Sequence, residues 1–323
     1  MKLTCAFATG PDTPDHVAVA EALGYQRAWL YDSPALYPDV WMQLALAATR
    51  TSTIGLGPGV LVPSLRHPVT NAAAITTLER LAPGRVAVAI GSGFTGRLVL
   101  GQRPMRWSDV ATYVRCVRKL LRGEETEWEG RVVRIADRPD RDVPIWIGAD
   151  GPKGNAVADE LGDGVICGGF PNTAAVKAGR PLSVLAFGTV LQPGEGPDSD
   201  RVRDAAGHAI GVILHGAYER GGEEAVDGLP GGTVWREATE AVPESVRHLA
   251  IHEGHLTRAN ERDVLALNAG ATSLLSLTLT GSPAEVAGKV DELEAAGMTE
   301  IAYQPAGPDI PGELRTFAEA LRG

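Results

Sequence analysis

The stretch Thr51–Gly93, TSTIGLGPGVLVPSLRHPVTNAAAITTLERLAPGRVAVAIGSG, decides how this chain is read. Apolar residues and glycines from Thr53 to Val62 predict a strand that runs into a glycine-rich turn. An Arg66-His67-Pro68 step leads into a helix from Val69 to Arg80, which Pro83-Gly84 breaks. Arg85–Ile90 is the next strand, and Gly91-Ser92-Gly93 the next turn. Two strands joined through a helix, each ending in a loop of accessible backbone, are the unit of a parallel α/β fold. The loops at the carboxyl ends of such strands are where these proteins hold ligands.

The same alternation continues on both sides. Leu3–Ala8 and Arg27–Tyr31 read as strands, with a helix between them that Thr13-Pro14 opens and Gly24 closes. Asp39–Arg50 reads as a helix with Val40, Leu44 and Ala47 on one face. Beyond Gly93 come a helix from Trp107 to Arg122 and a hairpin over Glu124–Ile135. Strands at Val143–Ile147 and Gly164–Cys167 then flank a helix over Asn155–Leu161. Leu182–Val190 is a seventh strand, followed by a helical region interrupted by a surface loop at Gly221–Gly232. Ser282-Pro283-Ala284-Glu285 spells a capping box, and Val286, Val290 and Leu293 form the buried face of its helix. Glu300–Tyr303 is the eighth strand, and Leu314, Phe317 and Leu321 mark a closing helix. Eight strands alternating with helices, and no linker-like shift in composition, predict one α/β domain over residues 1–323. A (β/α)8 TIM barrel with insertions fits this better than two doubly wound sheets.

Composition excludes several classes. The 323 residues are 44% hydrophobic and 22% charged, enough for a large core and too apolar for a disordered chain. A net charge of -10 with no basic block argues against a nucleic-acid surface. Cys5, Cys116 and Cys167 are isolated, so neither a zinc ribbon nor a disulfide framework is predicted. The N-terminus lacks a signal-peptide pattern and no apolar run is long enough to span a membrane, so a cytoplasmic protein is expected.

Several motifs carry chemistry. Gly91-Ser92-Gly93-Phe94-Thr95-Gly96 matches the dinucleotide pattern GxGxxG after a strand, but Gly101 and Pro104 soon interrupt, and Asp109 falls inside a helix. A turn that lets a flat cofactor approach the backbone is the better reading. Ala149-Asp150-Gly151-Pro152-Lys153-Gly154 also joins a strand to a helix. Its amides, helix start and lysine suit a phosphate, and equally an ordinary loop. Asp32 closes the second strand, where a carboxylate either faces a barrel mouth or caps a loop. Cys167-Gly168-Gly169 ends another strand, with no base nearby to make the thiol a nucleophile. His248, His252 and His255 share one helical face, but HEGH lacks the zinc-peptidase spacing, so packing is preferred and no metal is expected.

The quoted stretch resembles the signature of the bacterial luciferase-like superfamily of (β/α)8 flavin and deazaflavin oxidoreductases. AVAEALGYQRAWLYDS, GADGPKGNAVADELGDGVICGG and TGSPAEVAGKVDELEAAGMTEIAYQPAG are similar to its first helix and second strand, its phosphate-loop unit and its closing segment. The branch it looks closest to uses the deazaflavin coenzyme F420, near the methylenetetrahydromethanopterin reductases. This resemblance implies a tricyclic ring resting on a bulge in strand three, with a non-prolyl cis peptide matching Gly59-Val60. Ser92 and Gly93 would line the ring, and Ala149, Asp150, Gly151, Lys153 and Gly154 would meet the phosphate-bearing tail. Cys167, Gly168 and Gly169 would approach the cofactor from the next strand. Asp32 would orient the cofactor or serve in catalysis, and Trp41, Phe94 and Tyr303 would wall the substrate pocket.

The sequence departs from the family pattern in two places. Ser33 follows Asp32 where several relatives have histidine, and Phe94 stands where some have an acid. The resemblance therefore implies hydride transfer between the deazaflavin and a small organic substrate, with C=C or C=N bonds as candidate acceptors. The proton would come from water, Asp32 or a tyrosine. A homodimer is also implied. An FMN-dependent monooxygenase that activates oxygen is the alternative on the same fold, and a non-catalytic ligand-binding barrel is the alternative of another class.

Overall fold

In the computed structural model, which describes residues 1–322, strands and helices alternate from the start. The first half contains β1 (Lys2–Phe7), α1 (Thr13–Ala22), β2 (Arg27–Leu30), α2 (Val40–Arg50), β3 (Gly55–Pro58) and α3 (Pro68–Leu81). Proline in the first turn starts α1 and α3, while the Asp39 carboxylate caps α2 by accepting from Trp41 and Met42 N–H at 2.9 and 3.1 Å. There follow β4 (Val88–Gly91), the short α4 (Phe94–Leu98), α5 (Trp107–Leu121) and the antiparallel hairpin β5 (Thr126–Trp128) and β6 (Arg131–Val133). Next come β7 (Ile145–Gly148), α6 (Pro152–Leu161), β8 (Gly164–Gly168) and β9 (Leu182–Ala186). The remainder holds α7 (Asp200–Asp227), α8 (Gly232–Glu240), α9 (Glu244–Ile251), α10 (Glu261–Asn268), α11 (Pro283–Ala295), β10 (Glu300–Tyr303) and α12 (Ile310–Ala320). Among the described residues no helix is long and apolar enough to cross a membrane.

Eight of the strands form one parallel sheet in the order β3-β2-β1-β10-β9-β8-β7-β4. Bridges Leu56↔Val86 and Leu61↔Ile90 join its two ends, which makes the fold a (β/α)8 barrel. Between those bridges the β3 side advances five residues and the β4 side four, so β3 carries a one-residue bulge that contains Gly59 and Val60. This is why the regular strand ends at Pro58 rather than at Val62 as the apolar run predicts.

The glycines of β3 are explained by Trp29 of β2. A Cβ on Gly57 would lie 1.8 Å from the Ala87 carbonyl oxygen and 3.1 Å from the Trp29 ring, and one on Gly59 would meet Trp29 at 3.1 Å. Trp29 packs edge-on to Trp146 of β7 at 5.3 Å, and Gly164 of β8 gives Trp146 its space. Arg27 lies 5.1 Å from the Trp29 ring centroid and 5.5 Å from that of Trp146, with Glu300 3.9 Å away. Two indoles and a guanidinium thus fill the barrel interior where a third strand of small residues makes room.

By contact density the chain falls into two compact units. The first comprises Met1–Arg97, Arg103–Leu185 and Glu294–Tyr303, and the second Leu98–Gln102, Ala186–Leu293 and the described residues from Gln304. In the second unit Val202, Ile210 and Leu214 of α7 pack with Trp235, Leu267 and Leu274 around a helical core. Trp235 Nε1 donates to Asp263 Oδ1 at 2.9 Å, and Asn260 with Asp263 forms a capping box on α10. The loop expected over Gly221–Gly232 is instead mostly helix. The helical path is still interrupted at Gly222, whose φ of +69° and ψ of -159° are non-helical and kink α7, and again at the turn over residues 228–231.

Candidate active site

The carboxyl end of β2 places Asp32 in a buried position, and Arg66, just past the β3 bulge, reaches it. Arg66 Nη1 donates to Asp32 Oδ1 and Oδ2 at 2.7 and 2.6 Å, and Nη2 donates to Asp39 Oδ2 at 2.7 Å. Asp39 also caps α2, so one guanidinium ties β2, α2 and the segment before α3 together. Burial pushes the Asp32 carboxyl above its ordinary range, opposed by Arg66 and by the Val62 N–H. The network extends outward: Trp41 Nε1 donates to Asn71 Oδ1 at 3.0 Å, Asn71 Nδ2 donates to Tyr113 Oη at 2.7 Å, and Tyr113 Oη donates to the Arg66 carbonyl at 3.1 Å. Trp41 is therefore half-buried and fixed by a polar partner.

At the β3 bulge the Gly59–Val60 peptide is cis, at the place the sequence pointed to. The Val60 side chain fits where Gly91 and Gly148, paired in register on β4 and β7, lack side chains. Added Cβ atoms there would lie 2.9 and 2.6 Å from its methyl carbons. Gly93, at φ +77°, and Gly96 are both placed against Val62, and a Cβ added at Gly96 would also lie 3.3 Å from Asp32 O and 3.4 Å from Ser33 Oγ. The GxGxxG glycines thus admit neighbouring chain. Ser92 is half-buried, its carbonyl accepting from Met105 N–H at 2.8 Å, and Phe94 is half-buried at the start of α4.

On the β7 and β8 side, Asp150 Oδ1 accepts from Gly168 N–H at 2.7 Å, which links the two strand ends. Asn172 Nδ2 donates to the Ala149 carbonyl and to Asn155 Oδ1, both at 2.8 Å, fixing the start of α6. Gly151 caps α6 with open space where a Cβ would be, and Lys153 is exposed beside it. Gly154 differs from the expected cofactor contact: its missing Cβ is replaced by Trp107 at 2.7 Å and Ala149 at 2.8 Å, so it serves the packing of α5 against α6. Cys167 is likewise turned into the sheet, its Sγ donating to the Ser183 carbonyl at 3.3 Å, and burial pushes the thiol up to about 12. Gly168 is exposed and Gly169 adopts φ +81°.

Tyr303 is wholly buried in β10, in register with Cys5, and belongs to the barrel core rather than to an open pocket wall. The histidines also differ from the single helical face expected: α9 ends at Ile251, and His252 and His255 gather instead with His215 of α7. Sequence reasoning missed Arg66, Asn71, Tyr113 and Asn172. An unpaired-looking arginine inside an apolar, glycine-rich stretch was the one available signal for Arg66.

Residues 8–300 match the luciferase-like monooxygenase family. The chain belongs to that family. It is 28% identical over 333 residues to the 5,10-methylenetetrahydromethanopterin reductase of Archaeoglobus fulgidus, covering 95% of this chain and 93% of that protein. It is 33% identical over 325 residues to the F420-dependent glucose-6-phosphate dehydrogenase of Kineococcus radiotolerans, covering 94% and 90%. Its fold matches the F420-dependent tetrahydromethanopterin reductase of Methanopyrus kandleri with a TM-score of 0.67 at 22% identity, over 100% of this chain and 99% of the other. This luciferase-like chain is thus similar along its length to a reductase and to a dehydrogenase with different substrates.

Proposed function

We propose that this luciferase-like protein is a coenzyme F420-dependent oxidoreductase acting on a small organic substrate, and that residues 1–323 work as one catalytic chain. The observation that carries the reading is the near full-length similarity to two proteins of unlike substrate, one of them named for its F420 dependence. The Methanopyrus kandleri reductase of like fold is also named for F420, so what these names share is the redox partner and not the substrate.

The residues present fit such a group. A flat ring needs accessible chain that it can approach closely, and the half-buried Val60 of the bulge and Ser92 of the next turn offer it. An anionic tail needs amide donors and room, and the open cradle at Gly151, the start of α6 and Lys153 offer both. When bound, the deazaflavin supplies or accepts a hydride, and C=C or C=N bonds are the proposed acceptors. Asp32 orients the site through Arg66. With both carboxylate oxygens engaged it is a positioning group, and the proton comes from water at the mouth. Phe94 and Trp41 border the substrate side. A cytoplasmic homodimer completes the proposal and is checked by light scattering.

Fluorescence titration with F420 and with FMN tests the reading. Saturable F420 binding that Gly151→Leu weakens about tenfold or more supports it, since the added side chain occupies the open cradle. Tight FMN with oxygen uptake replaces it by the monooxygenase reading, and binding of neither favours a non-catalytic barrel.

A further inference from the structure

The helical unit holds a cluster of titratable side chains that the proposed redox chemistry does not use. His215 and Glu219 stand one turn apart on α7, and His252 and His255 lie in the turn after α9. His215 Nε2 and His255 Nδ1 are 3.1 Å apart, and one nitrogen from each of the three rings lies within 4.8 Å of the others. Glu219 backs two of them, its Oε2 3.3 Å from His215 Nδ1 and its Oε1 3.0 Å from His252 Nε2.

We propose that His215, His252 and His255 form a binding site for a divalent transition-metal ion of the Zn2+ class, with Glu219 orienting the rings behind it. Tetrahedral Zn2+ with bonds of about 2.0–2.1 Å holds its nitrogen ligands about 3.3 Å apart. The separation between His215 and His255 matches that bite, and side-chain rotation brings in the third ring. His252 is 0% exposed, and with Nε2 against Glu219 its Nδ1 has no hydrogen-bond partner among the described residues. A buried imidazole nitrogen left in this state is costly unless something accepts its lone pair. A carboxylate on the far nitrogen of a ligating histidine is the usual outer support of a metal site, because it fixes the tautomer and raises ligand basicity.

A carboxylate backing two of three clustered imidazoles favours a divalent cation among the rings. His255 is half-buried and gives a route from solvent. Bound metal would join α7 to the turn after α9, two segments 33 residues apart between Glu219 and His252.

Tag-free, full-length protein stripped by chelator and titrated with Co2+ tests the site. The expected result is one equivalent bound, with the visible d–d bands of a low-coordinate nitrogen site, displaced by Zn2+. His215→Ala, His252→Ala and His255→Ala each abolish the bands, while the near-isosteric Glu219→Gln folds and weakens binding about 10–100-fold. His248→Ala binds as the parent does, because His248 lies outside the cluster. One equivalent of Zn2+ also raises the thermal midpoint of the parent protein, since the site exists only when folded. Absent bands, bands that survive in Glu219→Gln at unchanged affinity, equal loss in His248→Ala, or an unmoved midpoint each overturn the proposal.

Discussion

Arg66 Nη1 donates to both carboxylate oxygens of Asp32, and its Nη2 donates to Asp39, so a single guanidinium pairs with one acid past the end of β2 and another at the start of α2. The two acids differ in exposure: the Asp32 side chain is 1% exposed and that of Asp39 40%. Arg66→Met leaves Asp32 as an uncompensated buried charge, a change that costs about 3–5 kcal/mol. Asp39→Asn keeps the helix cap and loses only a partly solvated ion pair, costing about 1 kcal/mol or less. Urea unfolding of both variants checks this ranking. Equal losses would mean that Asp32 does not depend on Arg66.

Gly57 and Gly151 separate a glycine needed for the fold from one that leaves space for a ligand. Gly57→Ala places a methyl 1.8 Å from the Ala87 carbonyl oxygen between adjacent strands, and the barrel cannot yield there without losing its register. Little soluble folded protein is expected. Gly151→Ala meets nothing within 4 Å, at an extended φ of -155° that any residue adopts, so its midpoint stays within about 0.5 kcal/mol of the parent. Thermal melts of the two variants test the contrast, and a folded Gly57→Ala protein would refute the packing described for β3.

A paired substitution isolates the bulge. Gly148→Ala brings a methyl 2.6 Å from a Val60 methyl, an overpacking that costs about 1–3 kcal/mol. Val60→Ala removes the opposing methyls, so the double variant recovers most of that loss. A double-mutant cycle in urea reads the coupling directly, and strict additivity would show that the two residues do not touch.

Much of the fold was legible because barrels repeat a local unit. Proline and aspartate at helix starts, glycine at Gly24 and Gly297, and apolar strands are local signals, and they located nearly every element. The boundary of β3 was not, because a bulge depends on what β4 does opposite it. Site geometry was harder still. Asp32 was visible as a carboxylate at a strand end, but its partner lies 34 residues away and no spacing rule connects them. Gly154 and Cys167 looked like ligand contacts because glycine and cysteine near a strand end serve packing and binding alike. Tyr303 sits at the end of a strand yet faces the core, which a four-residue apolar strand does not reveal. The histidine cluster was misgrouped for the same reason: His248 shares helical spacing with His252, whereas His215 shares only space.

Acid sensitivity of the helical unit follows from His208. This α7 residue is 2% exposed and edge-on to Phe187 at 5.9 Å. Burial lowers it to about 4, partly opposed by the backbone at Ala205, against about 6.5 in an unfolded chain. Because the folded value is depressed, its contribution to stability is complete above pH 6.5 and is lost as pH falls toward 4. At pH 5 the loss is about 2 kcal/mol relative to pH 7.5. His215 and His255 are lowered too and act in the same direction, whereas Asp263, pushed up to about 6 by burial, acts in the opposite one. All three remain in His208→Leu, and the His208 charge is the weakest of the influences on His255, so the difference between the parent and this variant reports chiefly on His208. Unfolding free energies measured by urea from pH 7.5 to 5 should fall about 2 kcal/mol further in the parent than in His208→Leu, and parallel curves would mean that His208 takes up its proton as readily folded as unfolded.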